Sequence, residues 1–224
     1  YSLRIVERSD CDDLLKVYSD VKSVRLFNSD NCYGDDFFYT TKEEIMNAID
    51  FWLDKYGQKE FVRWSVVDNT KKEVIGTIEM FHRDADDAFT NCGLLRLDLR
   101  SDYEFSTEIT KILRPLLNVA FSWFDCDMIA TKAISEAVER ISALKRFGFE
   151  KSDEKLIGHD GTEYGDYYVR RKTISAWENP PLLSTEDEKL FDNFLYKELR
   201  FHPSSYESDP ILPFSLNRPF TVYD

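Results

Sequence analysis

The chain has 224 residues, which suits one core domain with an additional segment. Hydrophobic residues make up 42% of it and aromatic residues 15%, enough for a buried core, and no apolar run is long enough to span a bilayer. The net charge of −13, from 29 Lys and Arg against 42 Asp and Glu, argues against nucleic-acid or membrane-surface binding and favours a cationic partner.

The four cysteines do not form a metal-binding or redox motif. Cys11, Cys32, Cys92 and Cys126 never occur as CxxC, and the three histidines are too scattered to complete a zinc signature with them. The sequence also lacks the basic and apolar segments of a secretory signal. We therefore expect free thiols, no metal site and a cytoplasmic protein.

Proline content divides the sequence into two parts. Six of the seven prolines lie beyond residue 179, and only Pro115 precedes them. The sequence therefore predicts a core domain over residues 1–178 and a C-terminal extension over residues 179–224. The extension is rich in Leu and Phe, which predicts that it packs on the core or on a neighbouring subunit, with one helix in TEDEKLFDNFLYKELR.

The first half of the core domain predicts a strand, two helices and three strands. SLRIVE alternates like a strand, and SDCDDLLKVYSDV begins a helix at Ser9 or Asp10. TTKEEIMNAIDFWLDKYG has a capping box at Thr41 and Glu44 and an apolar face that ends at Gly57. FVRWSVVD and EVIGTIEMFHR flank the turn DNTKK as a hairpin, to which NCGLLRLDLR adds a third strand.

The second half predicts a helix, a strand, a helix and a closing hairpin. STEITKILRPLLNVAFSWF has a helical period, within which Pro115 predicts a kink. CDMIATKAI predicts a short strand, and EAVERISALKRF a helix that ends at Gly148. GFEKSDEKLIG and EYGDYYVRRK predict a hairpin around His159, Asp160 and Gly161. The fold class is therefore α/β, with a mixed, strongly twisted sheet that has helices on both faces.

This order of elements resembles the GNAT superfamily of acyl-CoA N-acyltransferases, in particular the ribosomal-protein N-terminal acetyltransferase branch. Ile75-Gly76-Thr77 is similar to its third-strand signature, and Gly148-Phe149 to its helix-to-strand signature. The resemblance covers roughly residues 2 to 172. It implies acetyl-CoA as co-substrate, no metal, and direct transfer to a primary amine. The acceptor would be a cationic small molecule or a basic protein N-terminus, and the protein a monomer or a homodimer.

The resemblance places coenzyme A after the fourth strand. The family's pyrophosphate loop, Arg/Gln-x-x-Gly-x-Gly/Ala, falls on residues 101–106, where Glu104 replaces the key glycine. The family's Asn-x-x-Ser falls on Ala137 and Arg140. The remaining candidates for cofactor binding lie at the start of the next helix and along the edge of the fourth strand: Glu104, Phe105, Ser106, Thr107, Leu97, Asp98 and Leu99.

Three side chains are candidates for the proton transfers. Glu79 on the third strand and Asp98 on the fourth flank the family's cleft, and Tyr168 on the closing strand offers a phenol to the departing thiolate. Another interpretation stays open. Each carboxylate is then solvent-facing or paired with an arginine, since Arg96 and Arg100 lie two residues from Asp98, and the tyrosines are core or interface side chains.

The sequence predicts acyl-CoA-dependent N-acetylation of a primary amine. Glu104, Ala137 and Arg140 keep a second hypothesis open, a catalytically retired GNAT fold that binds a ligand or a partner protein. A third is an interaction protein built around the extension. For an enzyme we expect an open gap between the strands of Asp98 and Ile129, and the amides of residues 103–107 facing an open cleft. A filled gap favours retirement.

Overall fold

The computed structural model describes residues 1–172 and 221–223, so most of the predicted C-terminal extension, with its helix, lies outside the described residues. The described elements follow the predicted order. The strands are β1 (Ser2–Ile5), β2 (Val62–Asp68), β3 (Glu73–Asp84), β4 (Cys92–Leu99), β5 (Met128–Lys132), β6 (Glu150–Lys151), β7 (Leu156–Ile157), β8 (Glu163–Tyr164), β9 (Tyr167–Arg171) and β10 (Thr221–Tyr223). The helices are α1 (Cys11–Tyr18), α2 (Val21–Val24), α3 (Lys42–Gly57), α4 (Ser106–Trp123) and α5 (Val138–Arg146).

The helix boundaries follow the predicted local signals. Thr41 is the N-cap of α3, and its hydroxyl accepts from the Glu44 amide while the Glu44 carboxylate accepts from the Thr41 amide. α5 ends just before Gly148, which adopts a φ of +79° that glycine reaches without steric penalty. α4 runs from Ser106 to Trp123 without interruption and contains Pro115. Of the helices in the described part of the chain, none combines the length and the apolar character needed to cross a membrane.

The closing hairpin differs from its prediction. β7 and β8 do pair around the turn that contains His159 and Gly161, but this pair forms a separate two-stranded sheet. β9 pairs instead with β6 and β5 in the main sheet. Asp166, with a φ of +63°, separates β8 from β9 and turns the chain between them. The predicted single hairpin is therefore two short ladders.

The main sheet has the order β1-β2-β3-β4-β5-β9-β6, and β10 pairs with the end of β3. The pairs along that order are antiparallel except β4 with β5, which are parallel from Cys92 opposite Met128 to Leu95 opposite Thr131. β4 then continues to Leu99 without β5 beside it. A gap therefore opens between these two central strands.

Helices cover both faces of the sheet, which confirms the predicted fold class. On one face Ile109 and Leu113 of α4 share a core with Leu97 of β4. On the other, Leu14 of α1 packs with Ile45 of α3 in a second core. The four cysteines are free thiols, as expected.

Gly76 is fixed by the close approach of β3 and β4. A Cβ at this position would clash with the carbonyl oxygen of Asp98 and would lie 2.9 Å from the Cα of Leu99. Both of these atoms belong to the backbone of β4, so a side chain at this position would force the two strands apart, and the glycine permits their close spacing. The third-strand signature therefore has a packing reason in this chain.

Candidate functional site

Residues 26–30, between α2 and α3, lie across the gap between β4 and β5. Arg96 of β4 donates from Nη2 to the main-chain oxygen of Asp30 at 2.8 Å. Lys132, at the end of β5, donates from Nζ to Asp30 Oδ1 at 2.5 Å. The Tyr167 hydroxyl of β9 donates to Asp30 Oδ2 at 3.1 Å. Protein atoms thus bridge the gap. A filled gap is the arrangement that we expected for the second hypothesis, a fold without catalytic activity.

The loop between β4 and α4 pairs its amides with its own carbonyls. The Tyr103 amide donates to Arg100 O at 2.9 Å, the Glu104 amide to Ser101 O at 3.3 Å and the Phe105 amide to Tyr103 O at 2.8 Å. The tight 3₁₀ turn at this point brings each donor to an acceptor two or three residues earlier. For residues 103–105, the expectation that the amides face an open cleft is therefore wrong.

Two carboxylates occupy the start of α4. The Ser106 amide donates to Glu139 Oε2 at 2.8 Å, and this hydrogen bond lowers the pKa of Glu139. Glu104 forms an ion pair with Arg140, whose side chain is 2% exposed, and Arg140 also donates from Nη1 to Leu26 O at 2.9 Å. A helix N-terminus attracts anions, and here the chain supplies them itself.

Asp20 ties the same loop to the first helices. Its carboxylate accepts from the Ser101 amide at 3.0 Å, the Lys22 amide at 3.0 Å and the Ser23 hydroxyl at 3.0 Å. Burial opposes ionisation of Asp20, but these hydrogen bonds outweigh it and lower its pKa to about 2. The loop after β4 is thus held in place from both sides.

The other residues predicted to bind a cofactor are divided between surface and core. Phe105 and Thr107 are exposed at the start of α4. Leu97 and Leu99 are buried in the core beneath α4. In the same predicted set, Glu104 pairs with the guanidinium of Arg140 and the Ser106 amide with the carboxylate of Glu139, so both contact charged groups of the chain itself.

A cavity of about 740 Å³ opens on the face of the sheet that carries α3. We call it the aromatic cavity, because eight aromatic side chains line it: Tyr33, Phe37, Tyr39, Phe51, Trp52, Phe61, Phe81 and Tyr167. Its size is within the range of pockets that take small organic ligands. In the described part of the chain, no three His, Cys, Asp or Glu side chains are grouped to hold a metal ion.

A row of charged side chains crosses the floor of the aromatic cavity. The register places Arg63 of β2 opposite Glu79 of β3, and Glu79 opposite Arg96 of β4. Arg63 Nη2 lies 2.5 Å from Glu79 Oε2, and Arg96 Nη1 lies 2.6 Å from Glu79 Oε1. Burial opposes ionisation of Glu79, yet the two guanidinium groups lower its pKa. Both oxygens of Glu79 are therefore engaged, and it is poorly suited to act as a base.

Asp98 lies one row further along and does not line the cavity. It is buried, and Oδ2 accepts from Arg63 Nη1 at 3.0 Å and from the Tyr18 hydroxyl at 2.8 Å. Burial raises the pKa of Asp98. Of the two alternatives for these carboxylates, facing solvent or pairing with an arginine, the structure shows the pairing, because the helices cover this face of the sheet. The partner of Asp98 is Arg63 of β2 and neither Arg96 nor Arg100.

Tyr168 does not lie where a catalytic role would require it, and Arg63 is a cavity residue that the sequence analysis did not identify. Tyr168 packs in the hydrophobic core, and its neighbour Tyr167 lines the cavity, since successive strand residues point to opposite faces. Arg63, which lies 4.2 Å from the centroid of the Trp52 ring, was missed. The signal was available, because Arg63 interrupts the apolar strand FVRWSVV at an alternate position.

Comparison with known proteins places the fold. No family model matches the sequence, and no curated protein does. Three solved structures that share the fold are the ribosomal-protein-S5-alanine acetyltransferase of Vibrio fischeri, an aminoglycoside acetyltransferase in complex with coenzyme A, and a GNAT-family acetyltransferase of Bacillus anthracis.

The likeness is one of structure more than of sequence. In the same order, the identities are 17%, 16% and 16%, and the TM-scores 0.56, 0.56 and 0.55. The alignments cover 78%, 80% and 75% of this chain and 93%, 98% and 93% of the other chains. The chain has the fold of the GNAT acetyltransferases, as the resemblance in its sequence predicted.

Proposed function

We propose that this chain is a ligand-binding protein built on the acetyltransferase fold, which holds an amine in the aromatic cavity and does not use coenzyme A. The observation that carries the proposal is the pair of carboxylates at the start of α4. Glu139 accepts the Ser106 amide, and Glu104 neutralises Arg140, so the donors that would receive a pyrophosphate are already engaged. The residues present do not fit coenzyme A.

Admission of a pyrophosphate would require several changes at once. Glu104 would have to leave Arg140, and residues 26–30 would have to leave the gap, where Asp30 holds both walls. A pyrophosphate beside an unmoved Glu104 would meet a like charge, at a cost of about 1 to 4 kcal/mol depending on the effective dielectric. That range corresponds to an affinity loss of about one to three decades.

The choice of an amine rests on the cavity and on the similar structures. Ammonium groups are attracted to the faces of aromatic rings, of which the lining has eight, and the net charge of −13 draws cations to the protein. Two of the similar structures are named for acceptors that carry amines, the alanine of ribosomal protein S5 and an aminoglycoside. We further propose that the chain consists of a core domain over residues 1–178, which contains the cavity, and a C-terminal extension over residues 179–224.

Calorimetric titration of the full chain tests the proposal. We expect heat of binding from tryptamine, a primary alkylamine that carries an indole ring. We expect none from acetyl-CoA or desulfo-acetyl-CoA at concentrations up to about 1 mM. A dissociation constant of that size corresponds to a binding free energy of about −4 kcal/mol. Asn47→Trp, at an exposed position of α3 on the cavity lining, should weaken tryptamine binding. Glu43→Trp, also exposed on α3 but outside the lining, is the matched control.

A second candidate is acyl-CoA-dependent N-acetylation of a primary amine by direct transfer. One observation favours it: β4 and β5 diverge after Leu95, and the aromatic cavity reaches Arg96 beside that divergence. In this candidate Glu79, Asp98 and Tyr168 keep the catalytic roles predicted above. It requires micromolar binding of acetyl-CoA and release of free thiol with an added amine, and the titration above distinguishes the two.

A further inference from the structure

We infer that the ligand of the aromatic cavity carries a carboxylate that binds Arg96, so that it is a zwitterion of the amino-acid or peptide type with an apolar body. The inference rests on the proposed function, since it describes the ligand of the same cavity. It starts from Arg96, a cation that lines the cavity and is 8% exposed.

The protein holds the guanidinium of Arg96 in one orientation. Nη1 donates to Glu79 Oε1 at 2.6 Å, and Nη2 donates to the main-chain oxygen of Asp30 at 2.8 Å. The Phe81 ring lies beside it, with its centroid 5.5 Å from Cζ. A guanidinium fixed by three neighbours loses little further freedom when it binds a planar anion.

Arg96 keeps donors that the described residues do not use. A guanidinium has five N–H bonds, and the two contacts above engage one on each terminal nitrogen. Its Nε has no hydrogen-bond partner among the residues that the structure describes, although it is buried. An unpaired buried donor is unfavourable, and a carboxylate that approached the Nε side would relieve it.

The other arginines of the cavity are committed to the protein. Arg63 donates from Nε to Glu79 at 3.1 Å, and its terminal nitrogens reach Glu79 and Asp98. Arg83 engages both carboxylate oxygens of Asp87 with its terminal nitrogens. In the row of Arg63, Glu79 and Arg96 the charges alternate, and a ligand carboxylate on Arg96 would continue that alternation.

Three probes that share one ring system test the inference on the unmodified chain. Tryptamine carries the amine alone, indole-3-propionate the carboxylate alone, and L-tryptophan both. We expect L-tryptophan to bind at least about tenfold more tightly than tryptamine, because a charge-assisted hydrogen bond to a guanidinium is among the stronger ones. If tryptamine binds as tightly as L-tryptophan or more tightly, the carboxylate inference is overturned and the amine proposal stands. If neither binds, both are overturned.

Variants locate the effect. Arg96→Lys keeps the charge and removes Nε, so it should lower L-tryptophan affinity by a larger factor than tryptamine affinity and bring the two affinities together. Arg100→Lys, on an ion-paired arginine outside the cavity lining, should change neither affinity. Equal loss for both probes in Arg96→Lys, in a protein with an unchanged melting temperature, would contradict the inference. If Arg96→Lys does not fold, the comparison of the three probes on the unmodified chain decides.

Discussion

The middle of β4 and the loop that follows β4 differ in their availability to ligands. In the middle of the strand, Arg96 lies on the aromatic cavity, and its Nε has no partner among the described residues. In the loop that follows, the amides of Tyr103 and Glu104 pair with main-chain oxygens of the loop, and Glu104 neutralises Arg140. The cavity beside the strand is therefore open to a small molecule, and the loop after it is filled by the chain. One fold can present one site and close another, because each depends on a few side chains.

The difference also concerns where charge is balanced. In the cavity floor, two guanidinium groups, Arg63 and Arg96, meet two carboxylates, Glu79 and Asp98, and the Nε of Arg96 has no partner among the described residues. At the start of α4, two carboxylates, Glu104 and Glu139, meet one guanidinium and one helix N-terminus. The first arrangement leaves a donor for an added anion, and the second engages its donors with carboxylates of the chain itself. The predictions that follow test each arrangement in turn.

Arg63→Met should have the largest effect on stability. The variant retains an apolar side chain against Trp52. It leaves Glu79 with Arg96 as its ion-pair partner and removes the guanidinium that pairs with Asp98. Removal of one member of a buried ion pair costs about 3 to 5 kcal/mol. Urea unfolding of the full chain, followed by circular dichroism, measures the change.

The control for this prediction is an exposed arginine. Arg8, whose side chain is 64% exposed, pairs with Asp50, 43% exposed. Arg8→Met should therefore change the free energy of unfolding by about 1 kcal/mol at most. Equal losses in the two variants would show that the buried row contributes no more than a surface pair.

Glu104→Gln tests the loop after β4, where Glu104 neutralises Arg140. The variant leaves Arg140 without its counter-charge, which should lower the free energy of unfolding by about 1.5 to 3 kcal/mol. Inorganic pyrophosphate, which is small enough to reach Arg140 while residues 26–30 stay in the gap, should then raise the melting temperature of the variant and not that of the unmodified chain, because it supplies the missing anion. Glu108→Gln, in the first turn of α4, should not respond to it.

A melting temperature of Glu104→Gln that does not respond to pyrophosphate would mean that residues 26–30 or Glu139 still exclude the anion. The double variant Glu104→Gln with Glu139→Gln separates these two, since it also frees the Ser106 amide. Acetyl-CoA binding by the unmodified chain would contradict the proposed function directly.

Gly76→Ala tests the close spacing of β3 and β4. The added Cβ would meet the backbone of Asp98 and Leu99, so the strands must separate, and overpacking of this kind costs about 1 to 3 kcal/mol. Gly57→Ala, at the end of α3, is the matched control. Apart from its chain neighbours and the backbone of its own helix, no described atom lies within 4 Å of the added Cβ, and we expect the variant to be neutral or stabilised by up to about 1 kcal/mol. Similar losses at both glycines would refute the packing explanation.

Local signals in the sequence predicted most of the fold. The capping box of Thr41 and Glu44, the left-handed Gly148 and the order of strands and helices depend on residues close in sequence. They are confirmed, except for the short helix α2, which was not predicted, and for the closing hairpin. Tyr168 shows where a local signal is ambiguous. Tyr167 and Tyr168 are identical side chains on alternate faces, so the sequence cannot say which one faces a cavity.

The site depends on contacts between residues far apart in sequence. Glu104 and Arg140 each depart from the family's pattern, and the sequence identified both positions, but only the tertiary structure pairs them. The contacts of Asp30 with Arg96 and Tyr167 likewise join segments that no periodicity relates. Sequence reasoning therefore located the positions where the site changes and missed how those changes compensate each other.

The smallest expected effect is a pH dependence in the loop after β4. Hydrogen bonds from Arg100 and Lys16 lower the pKa of Glu73 to about 2, from an ordinary value of 4.5. A carboxyl group with a lowered folded-state pKa contributes stability above its unfolded-state pKa and loses it as the pH falls. The contribution of Glu73 is therefore complete above about pH 5 and disappears between about pH 4.5 and 2.

Glu73→Gln should reduce the slope of the free energy of unfolding against pH within that window. Because the Glu73 side chain is 20% exposed and its ion pairs are partly solvated, we expect a difference of about 1 kcal/mol or less at pH 7. Asp20→Asn should act in a similar window, because hydrogen bonds lower the pKa of Asp20 to about 2 as well. Urea unfolding at several pH values between 3 and 7 measures both. An unchanged slope in Glu73→Gln would mean that its ion pairs with Arg100 and Lys16 do not persist in solution.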